Sequence, residues 1–372
     1  MAEANEPWRR VVVKVGTSTL TAGTGRLNPP RMVDLVRQIS ALRAQGTDVV
    51  LVTSGAQQAG RERLGPLCEG QHIPTKQMLA AVGQARLMHL WEGYFDLFAI
   101  VSAQVLLTRQ DVEDRPRYLN VRDTFESLLE RRIVPIVNEN DAVATEEIKV
   151  GENDTLSAMV ANLVEADLLV LLSDIDGLYT ADPAQDPSAR LISQVERIDS
   201  SIYDLAGASK SGLGTGGMYT KILAADMAVR SGTSVAIANG SRESILASLA
   251  VRSQPCTWFP ASITPAEGRK RWLLAQKAVA GSVVIDDGAV RAILQNGKSL
   301  LPVGISQVWG DFERGAFIGV MRLNGQEIAR GLSNYSSADL QRILGRRSTG
   351  IADILGFDYG PEVIHRDKMV IL

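Results

Sequence analysis

Cysteine and histidine are scarce in this chain, at two and three residues of 372. Cys68 and Cys256 lie far apart, with no metal-ligand spacing and no disulfide framework between them. That usage fits a reducing compartment, and a cytoplasmic location is expected. His72, His89 and His365 are scattered, which argues against a histidine-rich metal site, and no protein metal ligand is assigned. No apolar run approaches the ~18 residues that a membrane span needs. Nor does an apolar segment precede the first strand, as it would in a signal peptide. The formal net charge of -3 lacks the basic excess of a general nucleic-acid binder. No fixed-period repeat or low-complexity tract is present.

What remains is the composition of an ordinary soluble globular protein, 45% hydrophobic and 22% charged. Its length predicts two or three domains. Continuous Val/Ile/Leu runs predict strands at 11–15, 48–53, 100–107, 133–137, 167–172 and 234–238. Helical patterns lie between them, at about 31–45, 75–97, 117–131, 156–164 and 217–230. Pro135 is awkward in a central strand. The alternation predicts an α/β fold, a mostly parallel sheet sandwiched by helices, over residues 1–252. Three prolines, Pro255, Pro260 and Pro265, predict a linker over 253–276. Short strand-like runs at 281–285, 289–294, 299–303, 316–323 and 328–332 then predict a small, mostly β domain over 277–372.

In parallel sheets ligands bind outside the carboxyl ends of the strands. Here the strands run into Lys14-Val15-Gly16-Thr17, Thr53-Ser54-Gly55, Asn138-Glu139-Asn140-Asp141 and Ser173-Asp174. Lys14 interrupts a buried apolar run, which is costly unless its ammonium meets an anion or reaches water. With Gly16 behind it, the stretch reads as a phosphate site. Taken alone it reads equally well as an edge strand whose lysine snorkels to solvent. Gly212-Leu213-Gly214-Thr215-Gly216-Gly217 formally matches the dinucleotide fingerprint, but no hydrophobic strand precedes it and no acidic residue follows at the right distance. Lys221, one turn into the following helix, makes this loop a polyphosphate site instead, with a solvated surface loop as the plain alternative. Asn153 or Asp154 reads as a helix N-cap, and Asn138 to Asp141 as a strand-end turn. Taken together with the two lysines, these groups suit phosphoryl transfer.

In this order the five motifs, Val12 to Ser18, Val52 to Ala56, Val137 to Asp141, Asn153 to Ala158 and Gly214 to Lys221, resemble the amino acid kinase family. The resemblance is to its glutamate-phosphorylating branch, and residues from about Lys277 look like the PUA domain attached to many members. The resemblance implies ATP-dependent phosphorylation of the γ-carboxylate of L-glutamate to L-glutamyl 5-phosphate, the first step of proline biosynthesis. Lys14, Asp154 and Lys221 would be catalytic, with Lys14 on the transferring phosphate and Asp154 holding both lysines. Ser54, Asp141 and Asn153 would bind glutamate in a pocket lined by Asn138, Gly55 and Ala56. Ser173, Asp174 and the loop Thr215, Gly216, Gly217, Met218, Tyr219, Thr220 and Lys221 would meet ATP. Mg2+ would accompany the nucleotide, and L-proline would be a feedback inhibitor. A homo-oligomer with no membrane or nucleic-acid partner completes the expectation.

Three rivals stand beside this reading. Another family member would act on aspartate, acetylglutamate or a nucleotide. An RNA-binding protein would work through the PUA-like domain, yet residues 277–372 carry 11 Lys/Arg against 10 Asp/Glu, too balanced for a phosphate-backbone footprint. A nicotinamide-dependent oxidoreductase would need a better fingerprint than the one above.

Overall fold

A computed structural model describes residues 8–65, 72–144, 152–207, 217–264, 267–268 and 279–372. Among the expectations above, those for Cys68, the glycine loop Gly212 to Gly216, Pro265 and the stretch 269–277 lie outside the described residues. The chain divides into two compact units, Met1–Pro265 and Ala266–Leu372.

The first unit is built around a seven-stranded sheet in the order β3-β4-β2-β1-β5-β6-β7. The strands are β1 (Arg10–Val15), β2 (Asp48–Thr53), β3 (Ser102–Leu107), β4 (Val134–Glu139), β5 (Leu168–Ser173), β6 (Ser234–Asn239) and β7 (Cys256–Phe259). All neighbours pair in parallel except β6 and β7. β1 lies at the centre because it can be buried on both faces: Val11, Val12, Val13 and Val15 are at most 1% exposed. Strand parity then sorts its side chains. Val11, Val13 and Val15 join the core that contains Leu35, Ile39, Leu87 and Trp91. Val12 joins the opposite core, with Phe125, Val160 and Ile222. Each such valine contributes roughly 1.5–3 kcal/mol on burial. Lys14 shares the parity of Val12, so it emerges on the second face.

Four helices of this unit position the site: α1 (Ala56–Leu64), α2 (Ile73–Asp96), α3 (Glu152–Leu163) and α4 (Gly217–Arg230). α1 follows β2 through Gly55, whose φ of 106° requires a glycine. α1 and α2 touch backbone to backbone. A Cβ on Gly60 would lie 2.0 Å from the carbonyl oxygen of Leu79, and one on Gly83 would lie 1.8 Å from that of Ala56.

Two features of this unit differ from the sequence expectations. Pro135 does sit in an interior strand, and the ladder to β2 holds only Leu51↔Ile136 and Val52↔Val137, just past the proline. Residues Cys256–Phe259, which their flanking prolines assign to a linker, form edge strand β7 and are buried. Thr257 secures it: its hydroxyl accepts from the Leu178 N–H at 2.7 Å and donates to the Ile192 carbonyl at 2.7 Å.

The second unit has a five-stranded sheet of its own. Its strands are β8 (Gly281–Ile285), β9 (Ile305–Trp309), β10 (Phe317–Arg322), β11 (Glu327–Leu332) and β12 (Met369–Ile371), in the order β12-β11-β10-β8-β9. Only β8 and β10 pair in parallel. The run 289–294, expected as a strand, is the end of a helix, Asp287–Leu294. Asp286 caps it by accepting from the Ala289 N–H, and Val290 and Ile293, three apart, face the core. The run 299–303 contributes an isolated bridge at Leu300 and a 3-10 turn, Pro302–Gly304. β9 and β12 were not expected.

Candidate active site

The carboxyl ends of β1, β2, β4 and β5 open onto one cavity of about 730 Å³. At its base are three buried charges. Lys14 is the penultimate residue of β1, Asp154 stands in the first turn of α3 and Lys221 in the second turn of α4. The Lys14 ammonium lies 2.6 Å from Asp154 Oδ1, and that of Lys221 lies 3.2 Å from Asp154 Oδ2. The Thr220 hydroxyl donates to Oδ2 at 2.8 Å, and Lys221 also donates to the Gly217 carbonyl at 3.0 Å. Asp154 is 1% exposed, Lys14 5% and Lys221 8%. Such burial is not a surface ion pair; it carries a desolvation penalty that only close pairing offsets.

The three charges sum to one positive unit, so the pairing is incomplete without an anion. Burial pushes the Lys14 ammonium below the ordinary lysine range; Asp154 opposes that shift and Lys221 adds to it. Burial would raise the Asp154 carboxyl, but Lys14 and Lys221 together hold it below the usual carboxylate range. Asp154 is therefore ionised at neutral pH, and an incoming phosphate would complete the charge balance.

One wall of the cavity is made of amide and hydroxyl groups. Asn153, beside Asp154, donates from Nδ2 to the Thr53 carbonyl at 3.1 Å, the Ser54 hydroxyl at 2.9 Å and Asn138 Oδ1 at 3.1 Å. Asn138, at the end of β4, is 1% exposed. It donates in turn to Gln84 Oε1 of α2 at 2.7 Å. Gly55, Ala56 and Asp141 line the cavity as well. The other wall holds Ser173 and Asp174, linked by a hydroxyl-to-carboxylate hydrogen bond of 3.1 Å, together with Gly217, Met218 and Thr220. Of the predicted residues that are described, only Tyr219 is absent from the lining. Its ring packs against Tyr203, with centroids 5.8 Å apart.

Sequence reasoning missed Gln57, Gln58 and Arg61 of α1 and Lys76 of α2, all on the cavity wall. They sit on polar helix faces, where a charged or amide residue is the default surface choice. It also missed Gln84, which touches the site only through Asn138. Among the described residues, no three His, Cys, Asp or Glu side chains converge as a metal cluster.

The profile of the Amino acid kinase family matches residues 9–239, and that of the PUA domain matches residues 281–355. The chain is 52% identical over 361 residues to the glutamate 5-kinase of Yersinia pestis (strain Pestoides F), covering 97% of this chain and 98% of that protein. It is 52% identical over 363 residues to the glutamate 5-kinase of Deinococcus radiodurans, covering 98% of this chain and all of that one (100%). A solved UMP kinase from Ureaplasma parvum overlays 68% of this chain and 98% of its own, at 13% identity and a TM-score of 0.47.

Proposed function

The chain belongs to the amino acid kinase family, and from that membership we propose that it transfers the γ-phosphoryl group of ATP to the γ-carboxylate of L-glutamate. The products are L-glutamyl 5-phosphate and ADP, and the reaction opens proline biosynthesis. The observation that carries the mechanism is the buried Lys14–Asp154–Lys221 set, one positive unit in excess at the base of a cavity with an amide wall.

The acceptor carboxylate is already ionised at neutral pH, so the site has no need of a strong general base. Catalysis reduces to positioning and charge stabilisation. Lys14 faces the transferring phosphoryl group, and Lys221 with Gly217, Met218 and Thr220 faces the phosphates that leave with ADP. Asp154 keeps the two ammonium groups apart and aimed, and does not itself react. Ser54, Asn153 and Asp141 take the amino-acid end of glutamate, backed by Asn138 and the turn Gly55-Ala56. Ser173 and Asp174 meet the nucleotide. Two ammonium groups already flank the Asp154 carboxylate, and their charge disfavours a further cation there. Mg2+ would thus be held through the nucleotide's phosphates and water, where it would neutralise phosphate charge. Feedback inhibition by L-proline, a homo-oligomeric assembly and a cytoplasmic location belong to the same proposal on family resemblance. No helix among the described residues is long and apolar enough to cross a membrane.

The test is ADP release across a panel of L-glutamate, L-aspartate, N-acetylglutamate and UMP. Release with glutamate alone is expected. Release with another acceptor, and none with glutamate, would overturn the reading.

A further inference from the structure

Gln84 is a residue of α2 that the cavity does not expose. It nonetheless ends a chain of hydrogen bonds whose other end is the substrate wall. The chain starts at the Thr53 backbone carbonyl, which can only accept. Asn153 therefore presents its Nδ2 there, at 3.1 Å. The same Nδ2 meets Asn138 Oδ1 at 3.1 Å, so Asn138 must face Asn153 with its oxygen. The Nδ2 of Asn138 is thereby turned to the far side, where Gln84 Oε1 accepts it at 2.7 Å. Each amide has one accepting and one donating end, so each orientation forces the next.

Two atoms of this chain are buried and have no hydrogen-bond partner among the described residues: Asn153 Oδ1 and Gln84 Nε2. The first belongs to a residue that lines the cavity, and it is an acceptor. A buried acceptor beside a substrate pocket calls for a donor, and the α-ammonium of an amino acid supplies one. The second shows that the network uses only the oxygen of Gln84.

We infer that Gln84 is a positioning residue for amino-group recognition. It holds Asn138 so that Asn153 keeps Oδ1 toward the α-ammonium of glutamate, an inference that rests on the substrate wall proposed above. Without the Gln84 oxygen, Asn138 Nδ2 becomes a buried donor with no partner. Turning the Asn138 amide to relieve this sets its donor against the Asn153 donor, which displaces the acceptor that the substrate needs.

Two full-length variants test the inference. Gln84→Met removes the acceptor and keeps the bulk. It is expected to raise the glutamate KM roughly 10–100-fold, the range for one misaligned charge-assisted hydrogen bond. The ATP KM should stay near that of the unmutated protein, while the donor left unpaired on Asn138 should lower the thermal midpoint by about 2–12 °C. Gln84→Glu keeps an accepting oxygen in either protonation state, and it forfeits only an Nε2 that engages nothing here. It is expected to restore the glutamate KM to within a few-fold. An unchanged glutamate KM in Gln84→Met overturns the inference. So does a parallel rise of both KM values, or a Gln84→Glu no better than Gln84→Met. If the unmutated protein forms no ADP with glutamate, the substrate wall itself is misread, and the inference falls with it.

Discussion

Replacing Asp154 by asparagine changes almost no volume and removes one charge, yet it should be among the most damaging substitutions in the first unit. Asp154 is 1% exposed and stands between two ammonium groups at 2.6 and 3.2 Å. Asp154→Asn would leave both cations buried with no counter-charge. Breaking a buried ion pair from one side costs about 3–5 kcal/mol. At about 2–4 °C per kcal/mol, the unfolding midpoint should fall by roughly 6–20 °C at neutral pH. The deficit has a signature that a packing defect lacks. Burial and Lys221 already hold the Lys14 ammonium below its ordinary value, and without Asp154 nothing opposes that shift, so the penalty is fully present at low and neutral pH. It should shrink as pH rises through the folded-state value toward the unfolded ~10.4. Inorganic triphosphate should narrow the gap as well, by supplying the missing anion. Thermal unfolding of both proteins at pH 7 and pH 9.5, with and without triphosphate, measures all of this. A variant that unfolds within ~2 °C of the parent at pH 7 would refute the view that Asp154 balances two charged lysines.

The lysines themselves should behave differently. Lys14→Met is expected to lower kcat by at least ~10²-fold with little change in melting, because Asp154 keeps Lys221 and Thr220 as partners. Lys221→Met should lower kcat similarly and also raise the ATP KM; near-normal kcat in either variant would remove that lysine from the mechanism. Asp141→Asn should raise the glutamate KM far more than the ATP KM, by an amount matching about 1.5–3 kcal/mol; equal rises would count against its place at the amino-acid end of glutamate. Because burial lowers the Lys14 pKa and a bound phosphate must raise it, kcat/KM for ATP should decline at a lower alkaline pH than kcat does. Coincident profiles would show that Lys14 does not meet the phosphate. A chain ending at Thr264 should fold and keep glutamate-dependent ADP release, whereas one ending at Ser253 loses β7, uncovers β6 and should be insoluble; comparable solubility of the two would contradict the pairing seen here.

Legibility followed how much each residue departs from its local default. β1, β2 and β5 could be read directly, since the unbroken Val/Leu runs at their centres admit few other placements. Lys14 was conspicuous because a lysine in such a run demands a reason. β7 was hidden by Pro255 and Pro260, which flank only four residues, too few for alternation to register. The helix Asp287–Leu294 looks like a strand because its run from Ala289 to Leu294 is short and apolar but for Arg291, and its cap, Asp286, also suits a turn. Asp154 alone reads as a helix N-cap, and only resemblance gave it a place between two lysines. Gln84 left no trace at all: a glutamine on a long helix is unremarkable until its partner Asn138 is known.

The glycine contact between α1 and α2 has a consequence for how this pocket can change. With Gly60 against Leu79 and Gly83 against Ala56, the two helices meet with no side chain between them. The turn at Gly55-Ala56 and the amide of Gln84 therefore ride on one welded piece. A methyl group at either glycine would wedge the helices apart and shift both at once. New acceptor preferences should thus be reachable only through side chains that project from the weld, such as Gln57, Arg61 and Lys76. A library that randomises these three positions explores substrate space on an intact frame, and one that includes Gly60 or Gly83 mostly explores loss of fold.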